Sequence, residues 1–140
     1  MIESFKDLPF LYSEDKIKPE EIDNVLREKM GIGFAECSQA LCDSLKARAE
    51  EVAQELPSLA PHGDYSKMTE DPEAIATFLR DEAAKPENWD IDLIQVKKDS
   101  SQLMEMVFVN KTVDDGDILR GFVFVGLSGK IRHAFVQTHW

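Results

Sequence analysis

The last 39 residues constrain the fold more than any other part of the chain. From Gln102 to Trp140 three runs rich in Val, Ile and Phe are separated by short polar turns. The first is Leu-Met-Glu-Met-Val-Phe-Val, the second Ile-Leu-Arg-Gly-Phe-Val-Phe-Val-Gly-Leu, and the third Lys-Ile-Arg-His-Ala-Phe-Val-Gln-Thr. β-Branched and aromatic residues bounded by Asp-Gly and Ser-Gly read as strands of a hairpin meander. A fourth run, Ile91 to Lys97, precedes them across the short polar link Lys98–Ser101. The expectation is four consecutive antiparallel strands at the C-terminal end.

The rest reads as mainly helical. Residues 1–18 carry Phe5, Leu8, Phe10, Leu11 and Tyr12 among charges and read as an arm that packs on the domain or on a second copy. Pro19 opens a short helix with Ile22, Val25, Leu26 and Met30 at helical spacing, and Gly31 and Gly33 end it. The longest helix is predicted from about Phe34 to Leu56. Phe34, Cys37, Leu41, Leu45, Val52 and Leu56 form its apolar stripe, and Pro57 stops it. A loop follows, with an extended piece near Asp64–Met68. Asp71-Pro72 is a helix start, since Asp caps open N–H groups and Pro fits the first turn. That helix is predicted to run to Lys85–Pro86.

These elements give an α+β fold. N-terminal helices pack on a curved, four-stranded antiparallel meander, in a cone-shaped or cystatin-like arrangement. The expected organisation is one domain over 1–140, with an arm (1–18), a helical part (19–86) and a sheet (90–140). A chain of 140 residues is long enough to bury a substantial core.

Composition excludes several function classes. The net charge of −11 argues against direct nucleic-acid binding, because phosphates would be repelled. It is compatible with a basic protein partner or with solubility alone. No apolar run approaches the roughly 18 residues of a membrane span, and the N-terminus does not read as a signal peptide. A cytoplasmic location is expected. Cys37 and Cys42, five apart in a helix, match neither a zinc pair nor a redox pair and read as buried thiols.

Alternation along the strands selects the candidate site. On the last strand Ile131, His133, Phe135, Gln137 and His139 share one face. On the strand before it Arg120, Phe122 and Phe124 oppose Gly121, Val123 and Val125, so both sides of that strand are apolar. Both faces of the sheet are therefore expected to be covered. A two-residue Ser-Gly loop would pair Phe124 with His133, Phe122 with Phe135 and Arg120 with Gln137. A three-residue loop with a glycine bulge would shift that pairing by one. In the first case Arg120, Phe122, Phe124, His133, Phe135, Gln137 and His139 line a pocket, apolar with a few polar groups. No metal or cofactor motif is present: His133 and His139 stand roughly 20 Å apart along one strand, and Asp114, Asp115 and Asp117 fit a turn.

The order of helices followed by a terminal meander, carried mostly by Asp71 to Trp140 and closed by Gly129-Lys130-Ile131, resembles the ketosteroid-isomerase-like superfamily. That group includes nuclear transport factor and the SnoaL-like polyketide cyclases. The resemblance implies a curved sheet wrapped round a long helix, a ligand held in the cone, and a dimer through the convex face. It transfers no catalytic residue. The expected function is binding of a small apolar ligand or a protein partner by a homodimer. One alternative is an acidic interaction module, such as an inhibitor or immunity-type protein that gathers Glu20, Glu21, Asp23, Glu50, Glu51 and Glu55 against a basic surface. The other is a small cyclase or isomerase using His133 or His139 as general base with Arg120.

Overall fold

The computed structural model describes residues 10–12, 23–24, 27–28, 31–61, 65–96, 104–113, 119–126 and 129–138. Strand β1 (Phe10–Tyr12) is followed by helix α1 (Phe34–Glu55), a 3-10 turn (Tyr65–Lys67) and helix α2 (Pro72–Phe78). The chain then widens into a π-helical turn (Leu79–Ala83) and tightens into a second 3-10 turn (Pro86–Asn88). Strands β2 (Trp89–Val96), β3 (Met104–Asn110), β4 (Leu119–Val125) and β5 (Ile131–Thr138) complete it. All five strands form one antiparallel sheet in the order β1-β2-β3-β4-β5. The fold is thus α+β, and β2–β5 are the expected meander. The N-terminal arm contributes a short edge strand, with Phe10 opposite Gln95 and Tyr12 opposite Leu93.

Helix α1 forms where the stripe predicts it. Cys37, Leu41, Leu45, Ala49 and Val52 are buried along one side, with Leu56 at its end. Gly33 stands at the N-cap with extended backbone and no side chain to cap with. The missing acceptor comes from eleven residues earlier: Phe34 N–H donates to Asp23 Oδ1 at 2.7 Å. Arg27 Nε donates to Asp23 Oδ2 at 3.0 Å and its Nη1 to Glu36 Oε1 at 3.3 Å. A β-carbon on Gly33 would collide with the Arg27 guanidinium, so glycine there makes room for the ion pair. Gly31 has φ +76° and donates to Arg27 O, a left-handed helix terminus. The predicted helical spacing of Ile22, Val25, Leu26 and Met30 lies outside the described residues, as does the Asp114–Asp117 turn.

The second helix starts as expected and ends differently. Asp71 Oδ1 accepts from Glu73 N–H, and Pro72 occupies the first turn. The α-helix stops at Phe78 instead of running to Lys85. Ala84 N–H then donates to Leu79 O, five residues back. The wide turn persists because side chains take its carbonyls. Asn88 Nδ2 donates to Glu82 O at 2.6 Å, and Asn110 Nδ2 to Ala83 O at 2.9 Å. Asn110 Oδ1 in turn accepts from Thr112 N–H and from the Thr112 hydroxyl. The extended piece expected over Asp64–Met68 is a 3-10 turn at Tyr65–Lys67; a bridge between Leu59 and Thr69 brackets it.

The helices lie on one face of the sheet. Met104, Met106 and Phe108 of β3, Leu119, Val123 and Val125 of β4, and Val136 of β5 are buried against them. Helix and sheet come close at Gly121, where a β-carbon would stand 2.6 Å from Leu41 Cδ1. Arg48 Nη1 of α1 donates to Val136 O, and Thr138 Oγ1 donates to Glu55 Oε2, so α1 also clasps the β5 edge.

The β4–β5 hairpin combines both turn alternatives. Gly129, at φ +77°, donates to Gly126 O, and Gly126 N–H donates to Lys130 O. This is the three-residue loop with a glycine bulge. Alone it would pair Phe124 with Arg132. The register slips once more between Phe124 and Val125, which restores Phe124 opposite His133, Phe122 opposite Phe135 and Arg120 opposite Gln137. Strict alternation therefore fails at the start of β5. Ile131, expected on the His133 face, packs on the core with Ala134, and Arg132 is exposed. The two irregularities together bury Ile131, Ala134 and Val136 in part or whole while keeping His133 and Gln137 out.

Candidate functional site

The outer face of the sheet is ordered in rows by the strand register. One end row holds Glu105, Phe124 and His133. The middle row holds Leu93, Val107, Phe122 and Phe135, and the other end row holds Asp90, Val109, Arg120 and Gln137. The alternation of β3 and β4 puts these residues opposite the helices, since their neighbours Met104, Met106, Phe108, Gly121 and Val123 are buried on the core side.

The aromatic side chains form a continuous ladder. Phe122 and Phe135 stack at 5.1 Å between ring centroids with planes 14° apart. Phe124 lies 6.3 Å from Phe135 and 6.3 Å from the His133 ring, and His133 is 5.0 Å from Phe135. Offset stacking of this kind is favourable for aromatic pairs. The three phenylalanines are nonetheless only partly buried, and His133 and Gln137 are exposed.

Arg120 is held at one end of the ladder. Its Nη2 donates to Asp92 Oδ2 at 2.9 Å. Asp92 reaches it because β2 carries a bulge between Ile91 and Leu93, and a bulge re-aims the extra residue. Sequence reasoning did not select Asp92. Its signal is the adjacent apolar pair Leu93-Ile94, which breaks the Asp-Ile-Asp alternation and marks a slip. Glu105, Val107 and Val109 were also missed, although they alternate with Met104, Met106 and Phe108 on one strand.

Of the seven expected site residues, the structure brings Arg120, Phe122, Phe124, His133, Phe135 and Gln137 onto one face; His139 lies outside the described residues. Of the expected cover for the second face, the N-terminal arm lies outside the described residues except for Phe10–Tyr12, and Val107 on that face is buried. The described helices lie on the core side, and the outer ladder is shielded in part by its own stacking. The core side, in contrast, is filled: Leu41 stands against the bare backbone of Gly121. Grooves of about 450 and 530 Å³ occur on the helical side, flanking Glu73 and Thr77.

Among the described residues of the outer face, Arg120 and His133 are not brought together. Arg120 and His133 occupy opposite end rows, four residues or roughly 13 Å apart along the strands. Among the described residues no three His, Cys, Asp or Glu side chains converge as a metal site. Cys37 and Cys42 are unbridged and buried, as expected, and burial pushes their thiols up to about 12 and about 11. They are poor nucleophiles, because the thiolate is the reactive form.

The acids of the interaction-module alternative are distributed along α1. Asp23 sits at its N-terminal end, paired with Arg27, whereas Glu50, Glu51 and Glu55 lie at the other end, roughly 25 Å away. Glu50 is paired with Arg80 and Glu51 with Arg48. Glu20 and Glu21 lie outside the described residues. Among the described residues no helix is long and apolar enough to cross a membrane.

Comparison with known proteins finds no match: no family model fits the chain, and no curated protein or solved structure is significantly similar to it.

Proposed function

We propose that this is a binding protein whose working surface is the outer face of the sheet. Phe122, Phe124 and Phe135 form an apolar floor there. His133 and Glu105 supply polar groups at one end, and Arg120 and Gln137 at the other. The observation that carries this reading is the stacked phenylalanine ladder left partly exposed on a sheet whose opposite face is filled. Contiguous exposed apolar surface rimmed by polar groups marks interaction sites.

A ligand or partner held here lies against the sheet, outside the helix–sheet interior. The helix order and terminal meander support a ketosteroid-isomerase-like architecture as part of the proposal. The interior of such a cone is occupied by Leu41 where α1 crosses β4. Binding is favoured over a cyclase or isomerase reaction because Arg120 is engaged with Asp92 and stands in a different row from His133.

The test is a two-dimensional amide NMR titration with the planar apolar probe 1-anilinonaphthalene-8-sulfonate. Shifts are expected to concentrate at residues 105–109, 120–124 and 133–137. They should be lost in Phe124→Ser/Phe135→Ser, with the circular dichroism spectrum retained. Shifts confined to the grooves around Glu73 and Thr77, or none at all, would refute the proposal.

A further inference from the structure

Among the described residues β5 ends the sheet, and no strand lies beyond it. An edge strand presents a row of unpaired N–H and C=O groups, which proteins blunt with proline, lysine, bulges or a short strand. β5 runs for eight residues without proline or lysine. Its exposed Arg132 and its register slip both stand at the start, so the edge from His133 to Thr138 is left regular.

The hairpin fixes which backbone groups face outward. Gly126 N–H donates to Lys130 O, and Gly126 O accepts from Gly129 N–H, so Gly126 bonds toward β5. Antiparallel bonding toward one neighbour recurs at every second residue. Phe124, Phe122 and Arg120 therefore bond across to their register partners His133, Phe135 and Gln137. Ala134, Val136 and Thr138 turn their backbone groups the other way. Val136 O agrees with this, since it accepts from Arg48 Nη1 of α1 at 3.4 Å. That is longer than the usual range of about 2.7–3.2 Å, and the Arg48 side chain is 38% exposed, so it is a weak and removable cover. The outward N–H groups of Ala134, Val136 and Thr138 meet no partner among the described residues.

We infer that the β5 edge takes up an extended segment of a partner protein as a sixth strand, with basic residues on its helix side. Main-chain hydrogen bonds supply the attachment, so the inference does not rest on the outer-face reading above. Alternation sets the chemistry of the segment. Its residues beside His133, Phe135 and Gln137 stand on the outer face, where an apolar side chain fits against the Phe135 ring. Its residues beside Ala134, Val136 and Thr138 lie along the flank of α1. Glu51 and Glu55 stand on that flank: Glu51 holds Arg48, and Glu55 accepts from the Thr138 hydroxyl. Two carboxylates against one guanidinium select Lys or Arg there, and the net charge of −11 steers a basic segment in from a distance. Pairing displaces Arg48 from Val136 O, and an N–H of the incoming strand takes its place.

Amide hydrogen exchange of the full chain, with and without the capped peptide Lys-Val-Lys-Val-Lys-Val, tests this. Exchange at Ala134, Val136 and Thr138 is expected to slow about tenfold or more with the peptide, while β2 and β3 are unaffected. The peptide N-methylated at its lysines should have no effect, because those N–H groups make the pairing bonds. The counterpart with Glu in place of Lys should bind about tenfold more weakly or worse. Arg48→Ala should bind the basic peptide more tightly than wild type, since it opens Val136 O and leaves Glu51 unpaired. Thermal unfolding confirms that this variant is folded. No added protection at the three amides, equal effects of the N-methylated or the glutamate peptide, or no gain in Arg48→Ala overturns the inference. Protection of the same amides that grows with protein concentration in the absence of peptide gives the edge to a second copy and overturns it as well.

Discussion

Leu41 fills the space that a side chain on Gly121 would need: its Cδ1 lies 2.6 Å and its Cδ2 2.7 Å from the position of a β-carbon there. Leu41 is fully buried at the centre of α1, so it has little room to move aside. Glycine in the middle of β4 is thus the condition for seating the helix on the sheet.

Gly121→Ala is expected to destabilise the fold by about 1–3 kcal/mol through overpacking. Leu41→Ala is expected to cost about 2–5 kcal/mol through the cavity it leaves. The double variant should be less destabilised than the sum, because the new methyl enters the space vacated by leucine. Urea unfolding midpoints of the four proteins check this. Strict additivity would show that the two residues are not in steric competition.

Asp23 caps α1 from a distance, and its carboxyl is held below its ordinary range, first by the hydrogen bond from Phe34 N–H and then by Arg27. A carboxylate with a lowered folded pKa contributes stability above the unfolded value near ~3.9, and that stability is lost as pH falls through the folded value. Asp23→Ala is expected to cost about 0.5–2 kcal/mol at pH 7, as a lost cap does. It should also flatten the decline in stability below pH 4. Unfolding curves at pH 7 and pH 3 measure both; an unchanged acid slope would remove Asp23 from that role.

Asn110 joins the π-helical turn to the sheet from a buried position. Replacing it by Leu strands the Ala83 carbonyl and the Thr112 N–H, at about 1–3 kcal/mol for each unsatisfied group. Amide hydrogen exchange of Ala84 and Thr112 in Asn110→Leu should accelerate before the rest of the core does. Protection equal to wild type at both amides would mean that the network is dispensable.

The thiols give the alkaline side. Desolvation raises Cys37 to about 12 and Cys42 to about 11, the latter beside the Trp89 indole. The unfolded chain ionises near ~8.5, so stability is full below that pH and falls between it and the folded values. Cys37→Ala/Cys42→Ala should lose part of this alkaline slope, read as denaturation midpoint against pH from 8 to 10.5. A thiol-reactive dye should label the native wild type only at the rate of opening. Rapid labelling of the folded protein would contradict the burial of both groups.

Local periodicity made much of the fold legible. The apolar stripe on α1, the Asp71-Pro72 start and the Val/Phe runs of the meander are properties of neighbours in sequence, because 3.6- and 2-residue repeats follow from backbone geometry alone. Arg120, Phe122 and Phe124 share a face of β4, and His133, Phe135 and Gln137 a face of β5, for the same reason.

What the sequence determined by itself is helix α1, the start of α2, the four strands of the meander, and which side chains alternate together along each single strand. The tertiary structure alone decided the β4–β5 register, the turn of Asp92 toward Arg120, the cap supplied by Asp23 and the wide turn held by Asn110. Each of these depends on a partner distant in sequence. At the β5 start, two irregularities offset each other because only that combination lets Ile131 and Val136 both reach the core. Burial summed over the whole sheet, rather than the preference of the Ser128-Gly129 turn, fixes the pairing.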